Sequence, residues 1–281
     1  MSGFIERKIL RVNNGISVEE ADMLTVEDPL EIRIIHNEIE YSVSVIMRTP
    51  VDDFALAAGF LFTEGIVKEN SIKEIKYSNS AKLPERNNIV NVEVSDFERN
   101  LLGRRNFYVN SSCGVCGKTN IDDIFVKSGE LIRSKKVLNY SGILEMPEIM
   151  KSSQKIFNST GGIHAAAIID YSGNVISMGE DIGRHNAVDK AIGNMILNGM
   201  KRNPETVLQV SGRAGFEILQ KAAMFGIPVV SSVSAPSSLA VELADEFNIT
   251  LLSFVRGNRF NIYTHGERIE LKNGHSQATR N

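Results

Sequence analysis

Alternating apolar and polar residues near the N-terminus predict a strand over Ile39–Met47, because side chains of a half-buried strand face the core at every second position. The polar residues His36–Glu38 separate this segment from Glu31–Ile35 and predict a hairpin turn between the two. Ile89–Val94 has the composition of another strand. The first part of the chain is therefore expected to be β-rich.

A helix is predicted directly after Met47. Thr49 is a favourable N-cap, Pro50 suits the first helical position, and Asp52 and Asp53 complement the positive end of the helix dipole. Gly65 is expected to end the helix. Its buried side would be formed by Ala55, Leu56, Phe60 and Leu61.

Strand and helix patterns alternate in the second half of the chain. A helix is predicted over Pro147–Asn158. A hairpin is predicted to follow, formed by the strands Ala165–Ile169 and Val175–Met178. The next predicted helix covers Ala187–Leu197 and starts near Gly183. The order that follows is β-α-β-α-β, which is typical of parallel strands covered by helices. Its segments are Thr206–Val210, Phe216–Phe225, Val229–Val233, Leu239–Phe247 and Leu251–Phe254.

Composition supports a globular α/β protein. The chain has 281 residues, 42% of them apolar and 23% charged, which is enough to bury one large or two modest cores. A net charge of −3 gives no support for a nucleic-acid partner. We find neither an apolar run long enough for membrane insertion nor a signal peptide, and we therefore expect a cytoplasmic protein.

The only two cysteines lie close together in the segment Cys113-Gly-Val-Cys116. Glycines at positions 114 and 117 allow a tight loop, and Lys118 would favour the thiolate form. This polar, glycine-rich setting does not fit two inert core thiols.

Three interpretations of the pair remain open. Cys113 and Cys116 could be zinc ligands, with His164 and His185 completing the site, although this spacing matches no familiar zinc motif. They could be a thioredoxin-like redox pair, although that motif normally begins a helix within a βαβ unit. They could instead carry sulfur, one thiolate holding a persulfide and the other attacking it.

Several predicted strand ends have residues suited to an anion. Ser211–Gly215 and Ser231–Ser238 each follow a strand and open a helix, where free backbone N–H groups and the helix dipole favour phosphate. Gly183–Asn186 is a third such helix start, with His185 as either an acid–base group or a structural residue. Arg256 and Arg259 follow the last predicted strand. Together these loops predict a nucleotide-sized anion pocket at one edge of the sheet.

The same motifs resemble the FdhD family of sulfur carrier proteins, which are required for formate dehydrogenase activity. The resemblance covers most of the chain after residue 100, and Tyr41–Gly65 also looks like the N-terminal part of that family. The matching motifs lie within residues 112–117, 160–167, 180–190, 211–217, 234–238 and 254–259.

The resemblance implies a cytidine deaminase-like, three-layer α/β domain at residues 107–281, carrying the cysteine loop and the cofactor-binding loops. A smaller β-rich α+β domain would occupy residues 1–106. A zinc deaminase is nevertheless disfavoured, because His164-Ala-Ala lacks the catalytic glutamate and Ser112, not proline, precedes Cys113.

The resemblance also implies a sulfurtransferase that takes sulfur from a cysteine desulfurase and transfers it to the molybdenum cofactor, a bis-molybdopterin guanine dinucleotide, for formate dehydrogenase. By this analogy Cys113 would carry the persulfide with help from Cys116, and the protein would be a homodimer without a catalytic metal of its own. The segment that matches the family's cofactor-binding residues consists of Phe254, Val255, Arg256, Gly257, Asn258 and Arg259.

A binding function is the alternative. In that case the protein would be a chaperone that holds the cofactor through its guanine nucleotide. Cys113 and Cys116 would then bind zinc or respond to the redox state.

Overall fold

The structure is a computed structural model that describes residues 3–78, 85–102 and 132–272. The cysteine pair Cys113 and Cys116 lies outside these residues, as does the boundary predicted after residue 106. Both the role of the cysteines and the domain boundary therefore stay predictions.

The described chain begins with a two-stranded antiparallel arm formed by β1 (Phe4–Asn13) and β2 (Ile16–Thr25). Asn14 and Gly15 form its turn with φ values of 51° and 81°, the left-handed conformations that a two-residue hairpin turn requires. At its base, the Thr25 hydroxyl donates to the Thr160 hydroxyl.

A four-stranded sheet follows, with β3 (Asp28–His36) and β6 (Ile89–Val94) at its centre and β4 (Ile39–Arg48) and β5 (Ile72–Tyr77) at its edges. Helix α1 (Asp53–Thr63) covers this sheet. Their shared core contains Leu30, Ile32, Ile34, Val43, Leu56, Leu61, Val90 and Val92. The predicted strands of this half are confirmed. The short helix α2 (Arg99–Leu102) is the last element of this half that the structure describes.

The larger sheet has six strands, which are β8 (His164–Asp170), β9 (Val175–Asp181), β10 (Thr206–Val210), β11 (Val229–Ser232), β12 (Thr250–Arg256) and β13 (Arg259–Ile262). Their order in the sheet is β13-β12-β11-β10-β8-β9. The central strands are parallel, as predicted, whereas β8, β9 and β13 run antiparallel to their neighbours. Strands β7 (Leu138–Asn139) and β14 (Ile269–Glu270) form a separate parallel pair.

Helices cover both faces of this sheet. They are α3 (Tyr140–Ser153), α4 (Lys155–Thr160), α5 (Arg184–Leu197), α6 (Phe216–Phe225) and α7 (Ser238–Glu246). Alternate strand residues such as Ile168 and Leu208 pack with the helices α5, α6 and α7. The residues between them, such as Ile169 and Val207, pack with α3 on the other face. The second half is thus a three-layer α/β arrangement.

The N-terminal half, which is described over residues 3–78 and 85–102, meets the C-terminal half, residues 132–272, where α1 crosses α5. A Cβ atom added to Gly59 would overlap the carbonyl of Asp189, and one added to Gly193 would overlap the carbonyl of Ala55. The backbones of the two helices therefore touch, and both positions require glycine.

The predicted start of α1 is wrong. The helix begins at Asp53 rather than Pro50, and its N-cap, Asp52, has φ 56°. Thr49 does not cap the helix because its polar groups bond across to the second half. Its N–H donates to Asp181 (3.0 Å), its hydroxyl accepts from Ile182 (3.2 Å) and its carbonyl accepts from Lys190 (2.9 Å).

The helix predicted over Pro147–Asn158 is also wrong in its bounds. Helix α3 begins earlier, at Tyr140, because the Asn139 side chain accepts from the Ser141 N–H and caps it, and Pro147 lies inside the helix. The chain leaves the helix at Gln154 and starts α4, whose first three N–H groups all donate to the Glu180 carboxylate at 2.9–3.0 Å. A local sequence pattern cannot predict a helix cap that is supplied by a residue so distant in the sequence.

Within the described ranges 3–78, 85–102 and 132–272, the structure contains no helix that is both long enough and apolar enough to span a membrane.

Candidate functional site

The predicted strand-end loops lie together at one edge of the large sheet. The parallel strands β10, β11 and β12 all end at this edge. Strand β8 begins there with His164, which is paired with Asp181 at the end of β9. Five chain segments therefore bring polar residues to the same side of the molecule.

Hydrogen bonds join these loops into one unit. The Ser232 hydroxyl lies 3.0 Å from the Gly212 carbonyl, which connects the ends of β10 and β11. The Ala214 N–H donates to the Ala235 carbonyl at 3.2 Å. The Phe254 N–H donates to the Ser234 carbonyl, also at 3.2 Å, which attaches the end of β12.

Phe254 has an unusual backbone conformation. Its φ of 56° lies in the left-handed region, which costs a non-glycine residue about 1 kcal/mol or more. The residue sits where the pairing of β12 with β13 shifts register. Such strain is concentrated at binding sites, where the surrounding structure holds it in place.

The predicted cofactor segment Phe254–Arg259 forms the end of β12, a turn at Gly257 and Asn258, and the start of β13. Its members differ in accessibility. Val255 is fully buried in the core against α3, whereas Arg256 and Arg259 lie opposite each other across the hairpin and are exposed. Any ligand contact by Val255 would therefore involve its backbone only.

Three guanidinium groups at this edge are available to an anion. Arg213, Arg256 and Arg259 are all exposed, and none forms an ion pair with another residue among the described ones. Planar guanidinium groups bind phosphate through paired hydrogen bonds. The donor set therefore fits the phosphates of a nucleotide-containing cofactor.

The start of α6 is less suited to an anion than the sequence predicts. Glu217 lies in its first turn, with one carboxylate oxygen 3.6 Å from Nε2 of His185. Burial acts to raise the pKa of Glu217, but the interactions with His185, with its own backbone N–H and with Arg184 together outweigh burial and lower the pKa. A negative charge therefore already occupies this helix terminus.

The start of α5 is also occupied by a carboxylate. Asp181 accepts from the Gly183 N–H and from the Asn186 side chain, both at 2.8 Å, and forms an ion pair with Lys190 at 2.7 Å. Lys190 in turn donates to the Thr49 carbonyl. Much of the 180–190 motif therefore joins the two halves of the molecule rather than binding phosphate.

A pocket of about 650 Å³ opens beside this edge, between the large sheet and helices α3 and α4. This volume lies within the range of roughly 300–1,000 Å³ that is typical of ligand sites. Its lining combines apolar side chains with polar ones that the sequence analysis did not select, chiefly Glu148 and Gln154.

His164 and Ser211 form the strand-edge side of the pocket. The Ser211 hydroxyl accepts from the Ala165 N–H at 3.0 Å and lies 3.4 Å from Nδ1 of His164. Burial is the largest cause that lowers the pKa of His164, and the neighbouring Arg184 and His185 act in the same direction. The imidazole is therefore neutral at neutral pH, so one of its nitrogens can accept a hydrogen bond.

His164 and His185 are the residues that would complete the site in the zinc interpretation of the cysteine pair. Among residues 3–78, 85–102 and 132–272, no group of three or more histidine, cysteine or acidic side chains is arranged to hold a metal ion. The contribution of the cysteines lies outside those residues.

Comparison with known proteins agrees with the resemblance seen in the motifs. The model of the FdhD/NarQ family matches residues 25–270. A Sulfur carrier protein FdhD of Picrophilus torridus is 59% identical over 248 residues, covering 88% of this chain and 92% of its own. Another protein of the same name, from Thermoplasma volcanium, is 44% identical over 272 residues, which cover 94% of this chain and 95% of that protein.

A crystal structure shares the fold. It is that of a Desulfotalea psychrophila protein assigned as a formate dehydrogenase accessory protein, and it matches with a TM-score of 0.75 and 25% identity over 96% of this chain and all of the other. A mixed α/β accessory-protein fold is the class that these observations define. The chain belongs to the FdhD/NarQ family.

Proposed function

We propose that this protein is a sulfurtransferase for formate dehydrogenase. It accepts sulfur from a cysteine desulfurase as a persulfide on Cys113 and transfers it to the molybdenum cofactor, bis-molybdopterin guanine dinucleotide. The observation that carries the proposal is the 59% identity to a protein named as a sulfur carrier, in a chain whose only cysteines form a Cys-x-x-Cys pair. The formate dehydrogenase link rests on the resemblance and on the assignment of the solved structural relative.

The loading step needs only a thiolate. The Cys113 thiolate attacks the terminal sulfur of the desulfurase persulfide, and a new S–S bond forms as the old one breaks. The desulfurase thiolate leaves, and Cys113 holds the persulfide without any net oxidation. Lys118, five residues further along the chain, would favour the attacking thiolate.

The second cysteine offers a route for release. The Cys116 thiolate attacks the inner sulfur of the Cys113 persulfide, which forms a Cys113–Cys116 disulfide and releases hydrosulfide. A cellular thiol reductant would then restore both thiols. In this account Cys116 assists the transfer and Cys113 carries the sulfur.

The acceptor side is supported by the exposed guanidinium groups of Arg213, Arg256 and Arg259. A guanine dinucleotide brings pyrophosphates, which such groups bind. When bound, the cofactor supplies the acceptor for sulfur. The residues of this chain hold its phosphates and place it at the edge formed by the ends of β10, β11 and β12.

Transfer can be followed with radioactive sulfur. Wild-type protein, a cysteine desulfurase and ³⁵S-labelled L-cysteine are incubated with the molybdenum cofactor, and the cofactor is then separated and counted. We expect label on the cofactor only when this protein is present, and at least a tenfold loss when Arg256 and Arg259 are both replaced by alanine.

Lys8→Ala/Lys201→Ala is the matched control, because it removes two exposed charges far from the Phe254–Arg259 hairpin in the sequence. Equal labelling of the cofactor with and without this protein would contradict the proposal.

A further inference from the structure

Helix α4 forms one wall of the pocket and leads directly to His164. Phe157 lines the pocket from α4, whereas Glu148 and Lys151 line it from α3. Residues 161–163 alone connect the end of α4 to His164, the first residue of β8. The placement of α4 therefore affects both a wall of the pocket and the start of a strand at the strand-end edge.

The helix α4 cannot hold this position by itself. It has only six residues, whereas an isolated helix shorter than roughly 12–15 residues is marginal in water. The chain is not helical at either end, since Gln154 is extended and Gly161 has a φ of 67°. The side chain of Gln154 does not cap the first turn. Contacts with other elements must therefore fix α4 in place.

Glu180 anchors the first turn of α4. Its carboxylate accepts the N–H groups of Lys155 at 2.9 Å, Ile156 at 3.0 Å and Phe157 at 2.9 Å, and both of its oxygens take part. A carboxylate at a helix N-terminus is favoured by such hydrogen bonds and by the helix dipole. Because Phe157 also lines the pocket, this anchor lies at the wall itself.

The backbone of Glu180 is fixed in turn by the interface between the two halves. Its carbonyl accepts from the Lys190 ammonium at 2.9 Å. The next residue, Asp181, forms an ion pair with the same ammonium at 2.7 Å. Lys190 also donates to the Thr49 carbonyl of the N-terminal half. A rigid set of buried contacts thus determines where the Glu180 carboxylate stands.

We propose that Glu180 is a positioning residue of sulfur transfer, whose carboxylate fixes α4 as a wall beside the strand-end edge that holds the acceptor. The inference rests on the proposed function, and Glu180 acts only through α4. With the carboxylate in place, the wall is formed before the acceptor arrives, so no binding free energy is used to order it. Without it, ordering α4 weakens binding of the acceptor.

The test compares Glu180→Gln with the wild type in the full chain. Glutamine keeps the size of the side chain but replaces one acceptor oxygen by a donor, so it cannot accept all three N–H groups. Hydrogen exchange of the amides of residues 155–157 should become at least about tenfold faster. In the ³⁵S transfer assay, the KM for the molybdenum cofactor should rise about tenfold with kcat nearly unchanged, and loading of the persulfide should be normal.

Asp170→Asn is the matched control. Asp170 also accepts backbone N–H groups, from Ser172 and Asn174 at 2.9 Å, in the turn between β8 and β9. This turn lies at the other end of β8 and does not line the pocket, so its substitution should leave the KM unchanged. Glu180→Asp keeps the charge on a shorter side chain and should give an intermediate KM. If Glu180→Gln does not fold, the same measurements on Glu180→Asp decide.

Three results would overturn the inference: an unchanged KM in the folded Glu180 variant, an equal rise in Asp170→Asn, or wild-type exchange rates at residues 155–157. The proposed function is tested separately in the same assay. If the wild type transfers no sulfur, the proposed function itself is wrong. If the wild type transfers sulfur and the Glu180 variant has an unchanged KM, only the role of Glu180 is wrong.

Discussion

Replacing Cys113 by alanine is expected to abolish activation of formate dehydrogenase. The substitution removes the thiolate on which the persulfide would form, and no third cysteine is present in the sequence to replace it. Activity is measured after the enzyme is produced in cells that contain the variant as their only copy of this protein. We expect the activity to fall to that of cells without the protein.

The neighbouring substitution Cys116→Ala is the matched comparison, because it removes a thiol from the same glycine-rich segment. Thermal melting of both variants establishes that they are folded. If folded Cys113→Ala protein supports full formate dehydrogenase activity, the proposed role of Cys113 is wrong.

Replacing Lys221 by methionine is expected to cause the largest loss of stability. The Lys221 ammonium is 2.9 Å from both carboxylate oxygens of Asp189 and 3.5 Å from Glu64, and it also donates to the Thr63 hydroxyl at 3.0 Å. Lys221 and Asp189 are almost completely buried. The cluster connects α1, α5 and α6, and thus the two halves of the molecule.

The variant leaves the Asp189 carboxylate buried without its cation. Breaking such a pair costs about 3–5 kcal/mol of unfolding free energy, a large fraction of the roughly 5–15 kcal/mol available to a domain. Chemical denaturation measures the loss. Lys221→Met/Asp189→Asn should recover part of it, because asparagine is neutral and keeps an acceptor for Thr63.

An exposed lysine provides the control, since Lys201→Met should change stability by less than about 0.5 kcal/mol. A Lys221→Met protein as stable as the wild type would show that the ion pair contributes nothing.

The same pair predicts a pH dependence. Burial acts to lower the pKa of Lys221, but the charges of Asp189 and Glu64 outweigh it and raise the pKa above the ordinary value of 10.5. A raised folded-state pKa contributes stability below the unfolded value, and this contribution is lost as the pH rises through the folded one. The difference in stability between wild type and Lys221→Met should therefore narrow above pH 10.5.

The spacing of apolar and polar residues along the sequence was sufficient to predict most of the large sheet. The strand Thr206–Val210 and the helix Phe216–Phe225 have the predicted bounds, because short apolar runs flanked by glycine and serine have few alternatives. The strand-end loops were placed correctly for a general reason, since consecutive parallel strands end at the same edge of a sheet.

The failures have a common cause in long-range polar contacts. Thr49 looks like an N-cap, but Asp181 and Lys190 use its polar groups, and α4 is capped by Glu180 from another strand. The burial of Lys221 depends on two carboxylates from other elements. The N-terminal hairpin was also not predicted, but for a different reason: its Asn14-Gly15 turn is a local sequence signal for a hairpin, and the sequence analysis overlooked it.

The candidate site likewise contains some residues that the sequence predicts and others that it does not reveal. Arg256 and Arg259 were predicted from their place after a strand, whereas Gln154 and Glu148 stand in a helical segment without any motif. Only the packing of α3 and α4 beside the sheet edge brings them to one cavity.

Intact-mass spectrometry tests the central claim most directly. Wild type and Cys113→Ala are incubated with a cysteine desulfurase and L-cysteine after reduction and removal of bound metal. The account predicts that the wild type gains the mass of one sulfur atom, that a thiol reductant reverses the gain, and that Cys113→Ala gains nothing. If the wild type gains no sulfur, or if Cys113→Ala gains as much, the protein does not carry sulfur on Cys113.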